Sequence, residues 1–411
     1  MNSATLSLVA LFGAIIVSCF TAINIGVLSI VLAWIVGYYF GGMKIDTITS
    51  GFPSSLFLTL IGVTLLFTQA QVNGTLDRVA HRAVRVCRGN VGLIPVMFFV
   101  VGFGLASMGP GNIAGIALIA PLAMTTAHRA KVPPFLMAIM ASNGANAGAL
   151  SPFAPTGVIA STLMLKIGLS GHEWQTWAYN AAAHALVAFL GYFIFGGWKL
   201  FKLRYDHSAV PYEPLDSRHW TTLAVIAGLI VSVMFFKVNV GMGALVGALI
   251  LPVLRAADHV EAIKKMPWNV IVMVTGVTVL VSIMEKTNGI QLFSDLLARL
   301  ATPHSATAVV AFVVGLISVY ASTSGVILPT FLPMVPSLVA RIGGGVSAFA
   351  LAQSINVGGH LVDVSPLSTI GALCIASAVT SGDSRKLFNQ MLGWGLSMSV
   401  AGAAICYLFF A

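Results

Sequence analysis

The chain has 411 residues, 58% hydrophobic and only 8% charged, where a soluble domain carries roughly 25% charged residues. Apolar character runs from end to end, which excludes both a soluble globular protein and a soluble domain on a single anchor. The 41 Gly and 17 Pro follow no Gly-X-Y period, so collagen is excluded too. What remains is an all-α polytopic membrane protein in a lipid bilayer. The formal net charge of +9 would point to nucleic acid on a soluble chain; here it belongs between helices, and no nucleic-acid partner is expected. Cys19, Cys87, Cys374 and Cys406 have no metal, redox or disulfide spacing. The first apolar run has no basic leader, so no signal peptide is expected.

In chain order, runs long enough to span cover about 4–20, 24–41, 53–72, 178–200, 219–236, 239–254, 267–284 and 387–411. Four further apolar stretches are interrupted. The stretch 91–127 breaks at Ala106-Ser107-Met108-Gly109-Pro110-Gly111-Asn112, and 305–339 breaks at Ala321-Ser322-Thr323-Ser324-Gly325. The stretch 135–165 breaks around Ser142–Pro155, and 346–380 around Asn356–Ser368. Irregular backbone survives at membrane depth only when buried or lining a cavity, so these breaks mark the candidate site. The segments Asn73–Gly89 and Asn288–Leu300 read as amphipathic helices lying along the membrane surface.

A shift of 214–215 residues aligns the two halves. Ile23-Asn24-Ile25-Gly26 meets Val238-Asn239-Val240-Gly241, Pro53 meets Pro267, and Gly62-Val63-Thr64-Leu65-Leu66 meets Gly276-Val277-Thr278-Val279-Leu280. Asn73-Gly74 meets Asn288-Gly289, and Ser151-Pro152 meets Ser365-Pro366. The expected organisation is a first membrane repeat over 1–203, a polar cytoplasmic linker over 204–217, and a second repeat over 218–411. If 91–127 and 305–339 are re-entrant hairpins, each repeat has three spans, a hairpin, a broken span and a last span. Five crossings invert the second repeat. Fifteen of the 21 Lys and Arg then fall on one side, Arg78, Arg129, Lys131, Lys265 and Lys386 among them, which makes that side cytoplasmic. Both termini are outside. Twelve crossings in parallel repeats would blur this asymmetry, so ten spans plus two hairpins is preferred.

Inverted repeats with paired broken helices are the build of secondary transporters, with sites near the midplane. Half-helix N-termini suit carboxylates, while unwound carbonyls with Ser, Thr and Asn oxygens suit a dehydrated Na⁺. Asp363 is the one acidic residue deep inside a span, and an intramembrane carboxylate is a functional candidate by default. It either ligates a cation, shares a coupling proton with His360 one turn earlier, or only orients His360 or caps a half-helix. His184 reads as a packing histidine. No Lys or Arg lies in a break or hairpin tip, so an anionic substrate would be met by hydroxyls, amides, dipoles and co-bound cations. No enzymatic activity and no cofactor are expected.

The order of elements and the Ser/Asn/Gly/Pro breaks resemble the ion transporter superfamily, which includes the divalent anion:sodium symporters. Residues 52–67, Phe-Pro-Ser-Ser-Leu-Phe-Leu-Thr-Leu-Ile-Gly-Val-Thr-Leu-Leu-Phe, followed by Asn73-Gly74, are most similar to the dicarboxylate (malonate) carrier branch, the MatC type. The resemblance implies a homodimer with a static scaffold and moving transport domains, an elevator mechanism, Na⁺ sites at two clamshells, and a small dicarboxylate between the hairpin tips. A Ser-Asn-Thr triplet marks each tip in the symporters; here Ser107 and Ser322 carry over and the Asn-Thr pair does not. The expected substrate ligands are Ser107, Asn112, Thr156, Ser322, Thr323, Ser324, His360, Ser368 and Thr369. The expected cation ligands are Ser107, Ser142, Asn143, Asn146 and Gly148 in the first half, and Ser322, Asn356, Gly359 and Asp363 in the second.

The resulting expectation is an importer of malonate or a C4 acid coupled to Na⁺, less readily to H⁺, in a bacterial-type inner membrane. The alternatives are the large membrane subunit of a tripartite transporter that depends on a periplasmic binding protein, and a Na⁺/H⁺ antiporter working through Asp363. An intramembrane hydrolase using Ser151 or Ser365 with His360 and Asp363 lacks any nucleophile motif.

Overall fold

The computed structural model describes residues 2–21, 23–84, 90–204, 214–378 and 384–411. The linker residues 205–213, Cys87, and positions 85–89 of the first amphipathic segment lie outside the described residues. Apart from one isolated bridge between Asn90 and Arg204, the described residues form no strand.

The first half begins with α1 (Ser3–Phe20) and α2 (Ile25–Trp34), which continues as a π-helical turn over Ile35–Phe40. The short α3 (Ile45–Thr49) leads into α4 (Ser54–Val72) and the surface helix α5 (Thr75–Val84). A hairpin follows, α6 (Leu93–Met108) and α7 (Gly111–Ala130). The broken span is α8 (Pro134–Gly148) plus α9 (Pro155–Lys166), and α10 (Glu173–Ile194) closes the half. The second half repeats the order. It runs through α11 (Ser217–Phe236), α12 (Val240–Val253), α13 (His259–Lys265), α14 (Trp268–Lys286), α15 (Gly289–Ala298) and α16 (Ala306–Ser318). The second arm of its hairpin is segmented: a π turn over Thr323–Ile327, α17 (Leu328–Phe331), a 3-10 turn over Leu332–Met334, and α18 (Val335–Ile342). Then come α19 (Ala348–Leu361), a 3-10 turn over Val362–Val364, α20 (Thr369–Ser377) and α21 (Ser384–Phe410).

Among the described residues eight helical stretches are long and apolar enough to cross a bilayer, including Gly111–Ala130 and Thr323–Ile342 in the hairpins. The protein is therefore an all-α polytopic membrane protein. Its outermost side chains are apolar: Ile194, Phe235, Phe236 and Leu408 are each more than 70% exposed, as lipid-facing residues must be. Asn24 and Asn239, equivalent under the repeat shift, cap their helices in the same way, accepting from Gly26 N and Met242 N.

Helices from the two halves exchange partners: α2 packs on α14, and α4 packs on α12. Each crossing is made by glycines. A Cβ on Gly26 would strike the Val272 carbonyl, and one on Gly276 the Gly26 carbonyl. At the equivalent crossing a Cβ on Gly62 would strike the Gly241 carbonyl. Small residues that let backbones touch are the usual means of helix association in lipid, where tails are as apolar as side chains and the hydrophobic effect gives no net pull. The broken spans behave alike: Gly144 lies against the Phe99 carbonyl of the first hairpin, and Gly358 against Ala311 of the second.

Three boundaries differ from the sequence expectation. The span expected over 178–200 begins earlier, as α10, because Glu173, Gln175 and Thr176 lower the apparent hydropathy of its first turn. It ends where Gly196 turns left-handed at φ 77°. The breaks are also narrower than expected. Ser142, Asn143, Asn146 and Gly148 are helical in α8, and Asn356 and Gly359 in α19. The chain unwinds only over 149–154 and, after the 3-10 turn, 365–368. Small residues and asparagines do not by themselves break a helix: Asn143 Nδ2 donates back to the Ile139 carbonyl at 2.8 Å. The unwinding coincides with Pro152 and Pro155 in one half and Pro366 in the other, which cannot continue an upstream ladder.

Candidate functional site: two clamshells and two cavities

At the first hairpin tip the chain reverses through Gly109 and Gly111, both at positive φ (140° and 77°). The Phe67 ring of α4 sits where a Cβ on Gly109 would be. Across the clamshell Asn112 Nδ2 donates to Asn146 Oδ1 at 2.9 Å, and Ser151 Oγ donates to the Ser107 carbonyl at 2.6 Å. Ser107 Oγ accepts from Trp177 Nε1 at 3.2 Å. Gly148 abuts the Phe103 carbonyl and Ser107 N. Asn143 Oδ1 pairs with His184 Nδ1 at 2.8 Å, and Ser142 Oγ lies 3.2 Å from Cys374 Sγ.

The second clamshell closes differently. Ser322 caps the tip, its Oγ accepting from Gly325 N at 3.1 Å and lying 3.4 Å from Ser324 Oγ. Thr323 Oγ1 donates to the Gly359 carbonyl at 3.0 Å and lies 2.7 Å from Ser318 Oγ. Asp363 is 6% exposed. Ser368 Oγ is bonded to the Asp363 and Ser365 carbonyls and caps α20, while Thr369 is exposed. His360 Nδ1 is bonded to the Asn356 carbonyl at 2.8 Å; no hydrogen bond joins it to Asp363 among the described residues. Ser151 and Ser365 are likewise engaged elsewhere, with the Ser107 carbonyl and with Leu367 N, so no serine–histidine pair of a hydrolase is assembled.

A cavity of about 220 Å³ opens beside the first tip. Its wall gathers Pro110–Ala114 of the tip, Pro155, Thr156 and Ile159 of α9, Thr64–Gln71 positions of α4, Ser324 of the second tip, and Lys265, Pro267 and Val270 where α13 meets α14. Three expected substrate ligands, Asn112, Thr156 and Ser324, thus meet on one surface. Ser107, Ser322, Thr323, His360, Ser368 and Thr369 are not on it. Sequence reasoning missed Lys265, the cation at this wall, which is held 3.1 Å from Glu261 across an exposed turn. The available signal was a lysine pair directly before Pro267, the repeat mate of Pro53.

A second cavity, about 750 Å³, lies at the other ends of the same helices. Its wall takes Ser50–Pro53 before α4 begins and Thr278–Glu285 at the end of α14, together with Lys166, Pro336 and Arg341. Thr64 and Thr278, Thr68 and Ser282, and Pro267 and Pro53 are repeat mates, so the two walls are built from equivalent positions. On α9 the partition is thin: Ile159 lines the first cavity and Leu163 the second, one helical turn or about 6 Å apart.

Comparison with known proteins agrees with this architecture. Residues 1–149 match the family model described as the dicarboxylate carrier protein MatC N-terminus. Uncharacterized transporters of Mycobacterium tuberculosis and Mycobacterium bovis are each 24% identical over 377 residues, covering 87% of this chain and 86% of theirs. The fold is shared with two solved structures. One is Neisseria gonorrhoeae MtrF, of a class of antimetabolite efflux pumps (TM-score 0.57, 15% identity, 92% of this chain and 84% of that one). The other is the Alcanivorax borkumensis YdaH transporter, whose topology is described as unusual (TM-score 0.61, 16% identity, 88% of this chain and 87% of that one). The similarity to the MatC branch read from residues 52–67 is borne out, and the chain is a membrane transporter.

Proposed function

Starting from a membrane transporter whose first 149 residues match the MatC N-terminus, we propose that the chain imports a small dicarboxylate, malonate or a C4 acid, coupled to Na⁺ rather than H⁺. The observation that carries this reading is the 220 Å³ cavity at the hairpin tips. It is smaller than the ~300–1,000 Å³ of pockets for drug-sized ligands, and so suits a molecule of a few carbons. Its polar wall offers Asn112, Thr156 and Ser324 with Lys265 at one side: neutral hydrogen-bonding groups for one carboxylate and a cation for the other. α9 begins at this wall, so the positive end of its dipole is near the ligand and favours negative charge there.

Alternating access is supported by the pair of cavities built from repeat-equivalent positions at opposite ends of α4 and α14. The charge bias puts Lys265 on the cytoplasmic side and Lys166 and Arg341 outside; the tip cavity then faces the cytoplasm. Transport requires only that the tips be re-exposed to the second cavity past a partition one turn thick at α9, by elevator movement in a homodimer. This reading keeps the inverted repeats over 1–203 and 218–411 and both termini outside, in a bacterial inner membrane. Na⁺ is assigned to the clamshells through Ser107, Asn143, Asn146 and Gly148, and through Ser322, Asn356, Gly359 and Asp363. Uptake of labelled malonate and C4 dicarboxylates by the purified chain in proteoliposomes tests it. Uptake should occur without any binding protein and follow an inward Na⁺ gradient. A requirement for a soluble binding protein would favour the tripartite reading, and Na⁺/H⁺ exchange with no organic anion would favour the antiporter.

A further inference from the structure

Between the halves runs a strip of buried polar side chains that does not line either cavity. Thr176, Asn180 and His184 follow one another at four-residue spacing on α10, so they share one face. That face packs on α8 and α19, and all three side chains are buried. α8 brings Asn143 and Asn146 to it; α19 brings Gln353, Asn356 and His360, all fully buried. Ala183 and Val187 beside His184 share one apolar cluster with Val357 and Leu361 beside His360. The strip is tied together by Gln353 Nε2 to Thr176 Oγ1 at 2.8 Å, Asn180 Nδ2 to the Asn146 carbonyl at 2.7 Å, and His184 Nδ1 to Asn143 Oδ1 at 2.8 Å.

These bonds use up donors and leave acceptors. Asn180 Nδ2 has two partners and Gln353 Nε2 one, through one of its two N–H groups, while Asn180 Oδ1 and Gln353 Oε1 have none. Asn356 Oδ1 has none either; its amide nitrogen reaches only Met164 Sδ, at 3.6 Å. Asn143 Nδ2 donates to Ile139, so Asn143 Oδ1 accepts and His184 Nδ1 is the donor. His360 Nδ1 donates to a carbonyl. A neutral imidazole that donates at Nδ1 carries a lone pair at Nε2, and both Nε2 atoms are unpartnered. Counted by atom, the strip therefore holds five acceptors with no partner against one donor nitrogen with none, Asn146 Nδ2. Packing defects would orphan donors as readily as acceptors, and each orphan is costly away from water. A surplus of uncharged lone pairs is the environment that replaces the hydration shell of a monovalent cation.

We propose that this strip binds one monovalent alkali cation, centred on Thr176, Asn180, Gln353 and Asn356, where α10 of the first half meets α19 of the second. The site adjoins the second clamshell through Asn356, which both use, but each clamshell is built within one half, whereas this site is shared between the halves. Thr176, Asn180 and Gln353 are its distinguishing ligands. The inference concerns binding alone and stands whether or not a dicarboxylate is the substrate.

The test uses the purified full-length chain with no organic anion present. The unfolding temperature and the binding of radioactive Na⁺ are measured against Na⁺, K⁺ and Li⁺, with choline replacing them at constant ionic strength. The wild type should show a saturable rise of several degrees specific to one alkali cation. Asn180→Leu and Gln353→Met should weaken that binding at least tenfold, and Thr221→Ala, at a partly exposed position of α11 outside every proposed site, should retain the binding that the strip variants lose. If either strip variant fails to fold, Thr176→Val, which removes an oxygen at nearly constant shape, takes its place. Three results would overturn the proposal: no cation-specific effect in the wild type, strip variants with wild-type affinity, or stabilisation that follows pH alone.

Discussion

In the first clamshell two neutral amides meet, Asn112 on Asn146, and Asn112 also faces the tip cavity. In the second, Thr323 holds the Gly359 carbonyl, and neither that pair nor Asp363 lines either cavity. The backbone differs in parallel. The second arm of the first hairpin is one continuous helix of 20 residues despite Pro121. That of the second is cut into four pieces carrying Pro329, Pro333 and Pro336. The difference teaches that duplicated architecture need not mean duplicated chemistry. On the proposed reading an anionic substrate placed against Asp363 would be repelled, and Asp363 indeed lines neither cavity, while the neutral half gives its tip and α9 to the tip cavity, with Lys265 at the margin. Only Ser324 of the second tip reaches the same wall.

The largest expected effect tests where the halves are alike. Gly144→Val and Gly358→Val each push a side chain into the facing hairpin backbone. Such overpacking costs about 1–3 kcal/mol or more, and both variants should lose most of their monodisperse protein on size-exclusion chromatography. Normal yield of one alone would show that the two broken spans are not held equivalently. Next, Asp363→Asn tests where they differ: Na⁺-driven uptake should fall roughly 10–100-fold, the loss of hydrogen bonds to a charged group. Uptake at wild-type rate would remove the acid from the ion site. Asn112→Ala leaves Asn146 Oδ1 unpartnered in a buried site, and uptake should fall about tenfold, through KM if Asn112 contacts substrate.

How much of this was legible in sequence follows from which signals are local. Glycine and proline mark backbone constraints directly, so the first hairpin tip at Gly109–Gly111 stands where the apolar stretch is interrupted, and the exchanged crossings at Gly26 and Gly62 stand at positions the repeat comparison singles out. Asparagine and serine mark no constraint of their own; Ser142–Gly148 therefore read as unwound, although the structure keeps them helical. Lys265 was invisible because its place at the cavity depends on how α13 folds back beside the first tip, which is a tertiary fact. The strip along α10 was hidden for the same reason. His184 read alone is a packing residue, and its meaning changes only when α8 and α19 bring five more polar side chains beside it and beside Thr176 and Asn180.

Smaller effects refine the comparison further. Ser107→Ala, Ser322→Ala and Asn143→Ala should each weaken ion-dependent uptake by a few fold, raising the Na⁺ concentration for half-maximal rate; unaltered transport in all three would refute the clamshell assignment. Lys265→Gln is the mildest, because the lysine is half-exposed and screened. KM for a dianion should rise about two- to fivefold with kcat unchanged, less so at high salt, and KM for a monocarboxylate analogue should not move.

The central claim, that the cavity beside one tip, with neutral polar groups and Lys265 at its margin, takes a small dianion while the coupling cations are bound elsewhere, meets its most direct test in proteoliposomes containing the chain alone. Labelled malonate or a C4 dicarboxylate is offered with a Na⁺ gradient and a pH gradient imposed separately. The account predicts concentrative uptake driven by the Na⁺ gradient and lost in Asp363→Asn. Uptake driven only by the pH gradient, or no dicarboxylate accumulation under either gradient, would contradict it.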